Sequence, residues 1–348
     1  LILKSRRFQF LFFQTLFGVL LLAAWLYLVD LGEVAIALSQ ARWLIVLLAA
    51  GVGTSSSLLR SLRWRTILRP IQLIPLLDLW LISLASSLIN FIIPLRTGEV
   101  ARSLFLRHRH RIPILTSLPT IAIDRSFDLL AVLLIGAIGG LTGINIGGKL
   151  SFVLLGAGLI FLGFVFFIAA AIFFGDRVRA FFSRIIPKRV DETLRNRLLG
   201  FMGSLIEGFG AVRRKPRDLV PILGISLLTA LLDGVLFYLL FRSLSITVSL
   251  PLVLTGFALF TLTFLVPGAP GYVGSMEAFG SLVFGGLGIG QAGAASVVLL
   301  YHAYNVVMLG VAGGIGMLAL GLRPVGAVRS IIDVGGLGED ANTVDRET

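Results

Sequence analysis

The chain has 348 residues, 57% hydrophobic and 14% charged, with 40 glycines, 12 prolines and no cysteine. Soluble proteins carry about 25% charged residues, and several apolar runs here reach the roughly 20 residues that cross a bilayer's hydrocarbon core. A soluble domain is therefore excluded, as are disulfides, thiolate metal sites and a cysteine nucleophile. The net charge is +12, from 30 Lys+Arg against 18 Asp+Glu, and its placement matters more than its total because Lys and Arg collect in cytoplasmic loops.

The first segment, Phe8 to Val29, follows Lys4, Arg6 and Arg7. Its apolar stretch is longer than the roughly 7–15 residues of a signal-peptide core, so it reads as a retained helix. A second span runs from about Trp43 to Leu62, with Asp30, Glu33 and Arg42 before it and Arg60, Arg63, Arg65 and Arg69 after it. The positive-inside rule then predicts a cytoplasmic N-terminus and returns Arg60–Arg69 to the cytoplasm. Next comes an apolar run, Leu76 to Pro94, followed by Arg96, Arg102, Arg107, Arg109 and Arg111. A full crossing would put this basic segment outside. A re-entrant hairpin keeps it inside, since non-helical backbone is tolerated at membrane depth when it is buried in protein or lines a wet cavity.

Pro113 to about Leu141 then leads out and Ser151 to Phe174 leads back. The Arg-rich segment 176–217 is expected in the cytoplasm, as a solvated or membrane-surface amphipathic helix rather than a nucleic-acid site. Leu219 to Phe241 leads out again. Leu250 to Val266 is broken by Pro267, Gly268, Pro270, Gly271 and Gly274, and the last span, Gln291 to Leu320, ends before Arg323 and Arg329. With Leu250 to Gly290 as a second re-entrant hairpin entered from outside, six spans and two opposed hairpins satisfy every charge cluster. The expectation is an all-α polytopic protein of the cell membrane with both termini cytoplasmic. One membrane domain covers 1–332, and the polar tail 333–348 is expected to be disordered.

The order span, hairpin, span occurs twice, over about 43–141 and 219–320, in opposite orientations. This predicts an inverted repeat. Each hairpin breaks at a Pro/Gly run that leads to an acid: Pro94 to Gly98 before Glu99, and Pro270 to Gly274 before Glu277. Paired interrupted segments at corresponding positions of two halves point to a transporter's substrate site.

Three elements carry a family likeness: Pro94-Leu-Arg96-Thr-Gly98-Glu99-Val-Ala-Arg102, then Asp124-Arg125-Ser-Phe-Asp128, then Pro267-Gly-Ala-Pro270-Gly271-Tyr-Val-Gly274-Ser-Met-Glu277. In this order and at these separations they resemble the flippase-like membrane domain of lysyl-phosphatidylglycerol synthases and its stand-alone relatives. The likeness covers nearly the whole chain, without the soluble aminoacyl-transferring domain of the full-length synthases. Many relatives have an arginine in the last span where this chain has His302. The resemblance implies translocation of a polar lipid between leaflets.

Charges inside spans are costly, about 2.5–3.5 kcal/mol each at a helix centre on insertion scales. Asp124 lies 11 residues past Pro113, about 16 Å deep at 1.5 Å per residue. Asp124 and Asp128 share a helix face, and Arg125 can pair with Asp128. These are candidates for function or for a structural ion pair. Asp233 is equally isolated in its span, as a functional acid or as a buried counter-ion to the fourth-span arginine. Arg96 and Arg102 can hold a phosphate with paired N–H groups or snorkel to the interface. Glu99 can cap its helix or meet a ligand. Gly271 and Gly274 permit a tight second tip. His302 is expected to hydrogen-bond between helices, with a proton-carrying role open because imidazole titrates near neutral pH.

No cofactor is expected. Gly143 to Lys149 fits a phosphate-loop spacing, but Leu150 replaces the Ser/Thr that the motif requires. The leading expectation is a flippase-like transporter of a lipid with a phosphate headgroup, independent of ATP. Proton or ion coupling and self-association are compatible with it. An intramembrane lipid-modifying enzyme and a non-catalytic partner of a lipid- or glycan-modifying complex are the alternatives.

Overall fold

A computed structural model describes residues 6–93, 97–141, 174–185, 216–264 and 268–321, with single positions between 156 and 206. Arg96, most of the expected span 151–174, most of the segment 186–215 and the tail 333–348 lie outside the described residues. The helices in chain order are α1 (Arg6–Leu28), α2 (Leu31–Ser39), α3 (Trp43–Leu68), α4 (Leu76–Ile92), α5 (Thr97–His110), α6 (Ile114–Leu141), α7 (Gly175–Ile185), α8 (Pro216–Ser243), α9 (Leu250–Thr263), α10 (Ser275–Gly286) and α11 (Gln291–Val307). α11 continues through a π-helical turn, Met308–Gly313, into Gly314–Ala319. There is no strand among the described residues.

Three helices are long and apolar enough to cross a membrane: Trp43–Leu68, Leu219–Ser243 and Gln291–Ala319. A fourth crossing arises when Phe12–Leu28 and Leu31–Ser39, bent by 84°, count as one span. Asp30 makes that bend, its Oδ1 accepting the N–H groups of Gly32 and Glu33 at 2.8 and 3.1 Å, as an N-cap does. α6 has 28 residues, about 42 Å of helix, and carries Asp124, Arg125 and Asp128 within it. The protein is an all-α polytopic membrane protein. α3 continues past the expected Leu62 to Leu68, which puts Arg60 and Arg63 inside the helix rather than in a loop.

α4 and α5 fold back on each other as an antiparallel hairpin. At its base Arg109 and His110 reach Asp78, at 3.6 and 3.1 Å. Burial pushes the His110 imidazole below its ordinary range, although Asp78 opposes the shift. At the other end a Cβ on Gly98 would stand 2.4 Å from the Ser86 carbonyl, so the approach requires glycine. α9 and α10 form a second antiparallel hairpin, with Gly256 against Phe284 and Gly280 facing Phe260. α4 and α9 have 17 and 14 residues, about 26 and 21 Å of helix, short of the roughly 30 Å hydrocarbon core.

α3 lies antiparallel on α8. The Arg42 N–H donates to the Ser243 carbonyl at 2.9 Å at one end, and the Ser56 hydroxyl donates to the Thr229 carbonyl at 3.3 Å midway. α9 packs antiparallel on α6, and α4 packs antiparallel on the α11 span. Gly136 and Gly139 of α6 take Ala258 and Thr255 of α9, while Gly313 at the end of the π turn and Gly316 after it take Leu84, Leu88 and Leu81 of α4. Small residues let the backbones approach, as membrane helix packing favours. The tip of the second hairpin meets the middle of α1, where Gly18 abuts Ala269 and the Val273 carbonyl. Gly274, at φ +79°, faces the Gly18 carbonyl, and Gly271, at φ +68°, faces Phe91. The two tips touch, with the Phe91 and Tyr272 ring centroids 6.3 Å apart.

Candidate functional site

α3, α5, α6 and α8 bring four arginines and four carboxylates into one network. Arg60 and Arg63 are three apart on α3, and Asp124 and Asp128 four apart on α6, so each pair shares a helix face. Arg63 is fully buried. Its Nε donates to Asp124 at 2.8 Å, and its Nη1 donates to the Ser226 hydroxyl at 3.0 Å and lies 2.9 Å from Asp128. Arg102 donates to the other Asp124 oxygen at 3.0 Å and to the Ser83 hydroxyl at 2.9 Å. Its guanidinium also lies 3.7 Å over the Trp64 ring, a cation–π contact. The Trp64 indole N–H in turn donates to the Thr120 hydroxyl at 3.2 Å.

Arg60 donates to Asp128 at 3.2 Å, to the Ser56 hydroxyl at 3.1 Å, and forms an ion pair with Asp233. Arg125 donates to Asp128 at 3.3 Å and has Glu99 at 3.7 Å. Taking an ion out of water costs several kcal/mol unless its partners restore the lost hydrogen bonds. Asp124 has two arginine partners, one on each oxygen, and Arg63 has Asp124, Asp128 and Ser226, although its buried Nη2 has no hydrogen-bond partner. Arg125 and Glu99 are held loosely, with side chains 46% and 38% exposed.

These charges line a cavity of about 580 Å³, where Arg60, Glu99, Arg102, Arg125, Asp128 and Asp233 stand among Leu236, Phe257, Phe264, Tyr301, Tyr304 and Met308. A second lobe of about 290 Å³ shares Glu99, Arg102 and Arg125 and extends along Asn90, Phe91, Tyr272 and Met276 to the hairpin tips. The larger lobe has the size of a small-molecule site, and its lining combines ionic with aromatic and apolar side chains.

The structure thus brings Glu99, Arg102, Asp124, Arg125, Asp128 and Asp233 together. Asp233 is a counter-ion, and its partner is Arg60. Gly271 stands at the contact between the tips. Gly274, Glu277 and His302 form a separate cluster that does not border the cavity. There the Gly274 N–H donates to Glu277 at 2.8 Å, and the other Glu277 oxygen pairs with His302 Nδ1. Arg96 lies outside the described residues. Sequence reasoning missed Arg60 and Arg63, which charge counting assigns to the cytoplasmic cluster. Their signal was spacing, two arginines one helical turn apart at the end of an apolar run.

A family model described as the lysylphosphatidylglycerol synthase TM region matches residues 11–313, nearly the whole chain. The chain belongs to this family. No curated protein and no solved structure matches it. For this lysylphosphatidylglycerol synthase-type domain, membership supports a membrane-lipid function. Among its described residues no group of three His, Asp or Glu side chains is placed to hold a metal ion.

Proposed function

We propose that this domain translocates a phosphate-bearing lipid between leaflets without ATP, passing the headgroup through the cavity between the two hairpins. The observation that carries this reading is the cavity itself, lined by both ionic and aromatic side chains and extending to both hairpin tips. Arg102 and Arg125 border both lobes and hold the phosphate, for which planar guanidinium groups supply paired N–H donors. The acyl chains stay in the membrane. The hairpins are re-entrant, as two features support: their first helices are short for a crossing, and the second tip meets α1 at mid-length.

The two halves form an inverted repeat. Under such a repeat α3 corresponds to α8, α4 to α9 and α6 to the α11 span. The packing of α6 on α9 then corresponds to that of the α11 span on α4, and corresponding spans run antiparallel. Inverted repeats place a substrate site near the bilayer midplane between interrupted helices. The protein works in the cell membrane with both termini in the cytoplasm.

The test is a leaflet-resolved assay with the purified protein in liposomes that contain a fluorescent phosphatidylglycerol. Dye in the inner leaflet should become accessible to a membrane-impermeant quencher in protein-containing vesicles, with the lipid chemically unchanged. Chemical conversion of the lipid would point to an enzyme. Vesicles that match protein-free controls would refute translocation.

A further inference from the structure

Glu277 and His302 stand apart from the arginine network. Both are buried, at 4% and 8% exposure. One Glu277 oxygen pairs with His302 Nδ1, and the other accepts the Gly274 N–H in the turn of the second hairpin, at 2.8 Å. The His302 ring meets Phe91 edge-on with centroids 6.0 Å apart, and Phe91 lies against Tyr272. A single carboxylate–imidazole couple therefore touches the second tip through Glu277 and the first through His302.

The surroundings leave this couple to set its own charge. α9 has no titratable residue, and α1 has none between Arg7 and Tyr27. In α4 the one titratable residue is Asp78, at the far end beside Arg109 and His110. α11 brings Tyr301 and Tyr304, which line the large cavity. Asp233 of α8 is held by Arg60, and Glu33 of α2 is exposed. Across Phe91 and Met276 the charges are Glu99, Arg102 and Arg125, which border the smaller lobe. Among the described residues His302 is the ionic partner of Glu277 and no arginine or lysine offsets it. With a neutral imidazole the pocket holds one uncompensated negative charge, which is costly when buried. One more proton brings it to zero. Histidine is the side chain whose ordinary range lies between about pH 5 and 8.

We propose that Glu277 and His302 form a one-proton site that couples lipid translocation to a transmembrane proton gradient. The proposal rests on the translocation reading above. Uptake of a proton from water forms one N–H bond on the imidazole and gives an imidazolium–carboxylate pair of zero net charge. Release to water on the other side breaks that bond and restores the single negative charge. Because the couple holds both tips, its charge biases whether they stay in contact.

The experiment uses the full chain in liposomes with fluorescent phosphatidylglycerol, the membrane potential clamped at zero and a pH difference of one unit. Coupling of one proton per lipid should drive the steady-state leaflet ratio of the dye toward about tenfold, since one pH unit is a factor of ten in proton activity. A protonophore should return the ratio to unity. Glu277→Gln and His302→Asn should exchange lipid with a ratio of one under the same gradient. Wild-type protein that exchanges lipid but never builds asymmetry would overturn the coupling and leave translocation standing. Wild-type protein that exchanges no lipid would overturn both. A second measurement needs no transport: nitrogen-15 NMR of the His108→Asn, His110→Asn variant, in which His302 is the one histidine left of three. Its ring nitrogens report whether the ring gains a proton across the pH range used to drive transport. A ring fixed in one state across that range would overturn the site.

Discussion

Arg63 is fully buried and divides its guanidinium among two aspartates and a serine, whereas Arg125 keeps nearly half its side chain exposed with Glu99 at 3.7 Å. This difference separates the charges that hold the bundle from those that can meet a lipid. Asp124→Ala would take from Arg102 its carboxylate partner and leave Arg63 with Asp128, and breaking a buried pair costs about 3–5 kcal/mol. Thermal unfolding in detergent should show a large loss. Arg125→Ala should cost no more than about 1 kcal/mol, the scale of an exposed pair, yet lower lipid exchange at least about tenfold, a barrier change of about 1.4 kcal/mol. The opposite pattern would mean that the two roles are exchanged. Asp124, Arg125 and Asp128 were legible in the sequence because ionised groups deep in an apolar run stand out energetically. Arg60 and Arg63 were not, because arginines near the end of an apolar run look like cytoplasmic anchors. Their partners lie on α6 and α8, and that pairing is a tertiary fact.

At the scale of helices, the glycines of α6 and the α11 span decide how closely each hairpin seats. A Cβ on Gly139 would stand 2.5 Å from the Thr255 hydroxyl and 2.7 Å from the Pro251 carbonyl, and one on Gly316 would stand 2.7 Å from the Leu81 carbonyl. Overpacking of this kind costs about 1–3 kcal/mol. Gly139→Ala and Gly316→Ala should therefore each lower the unfolding temperature. Gly310→Ala should not, since nothing lies within 4 Å of its Cβ position. The breaks in the two hairpins were readable from Pro and Gly, whose backbone constraints are local. The helix on which each hairpin packs was not, because glycine is frequent in membrane helices generally and marks a contact only once its neighbour is known. His302 illustrates the middle case. A hydrogen bond between helices was expected, and the partner, Glu277, required the fold.

For the whole molecule, the antiparallel pairing of α3 with α8 and the exchanged packing of the hairpins fit two halves inserted with opposite orientation. The cysteine-free chain makes this testable. Cysteines at Glu33 and Arg109, both exposed, should label with impermeant maleimide from opposite sides of the membrane. Labelling from the same side would contradict the first re-entrant hairpin and the inverted repeat with it. The apolar spans were legible because hydropathy and charge placement act along the chain. The cavity was not, since its lining comes from helices far apart in sequence.

The central claim is that the headgroup passes through this cavity, and Ser87, which borders both lobes, is the position that tests it. A cysteine there can be modified with a small charged methanethiosulfonate in reconstituted vesicles. A cysteine at Leu44, on the exposed face of α3 at 76% exposure, serves as the control. Leaflet exchange of the fluorescent phospholipid should fall to the protein-free rate when the Ser87→Cys variant is modified, and recover when a reductant removes the adduct. The modified Leu44→Cys variant should exchange at its starting rate. Unchanged exchange by a fully modified Ser87→Cys variant would contradict the account.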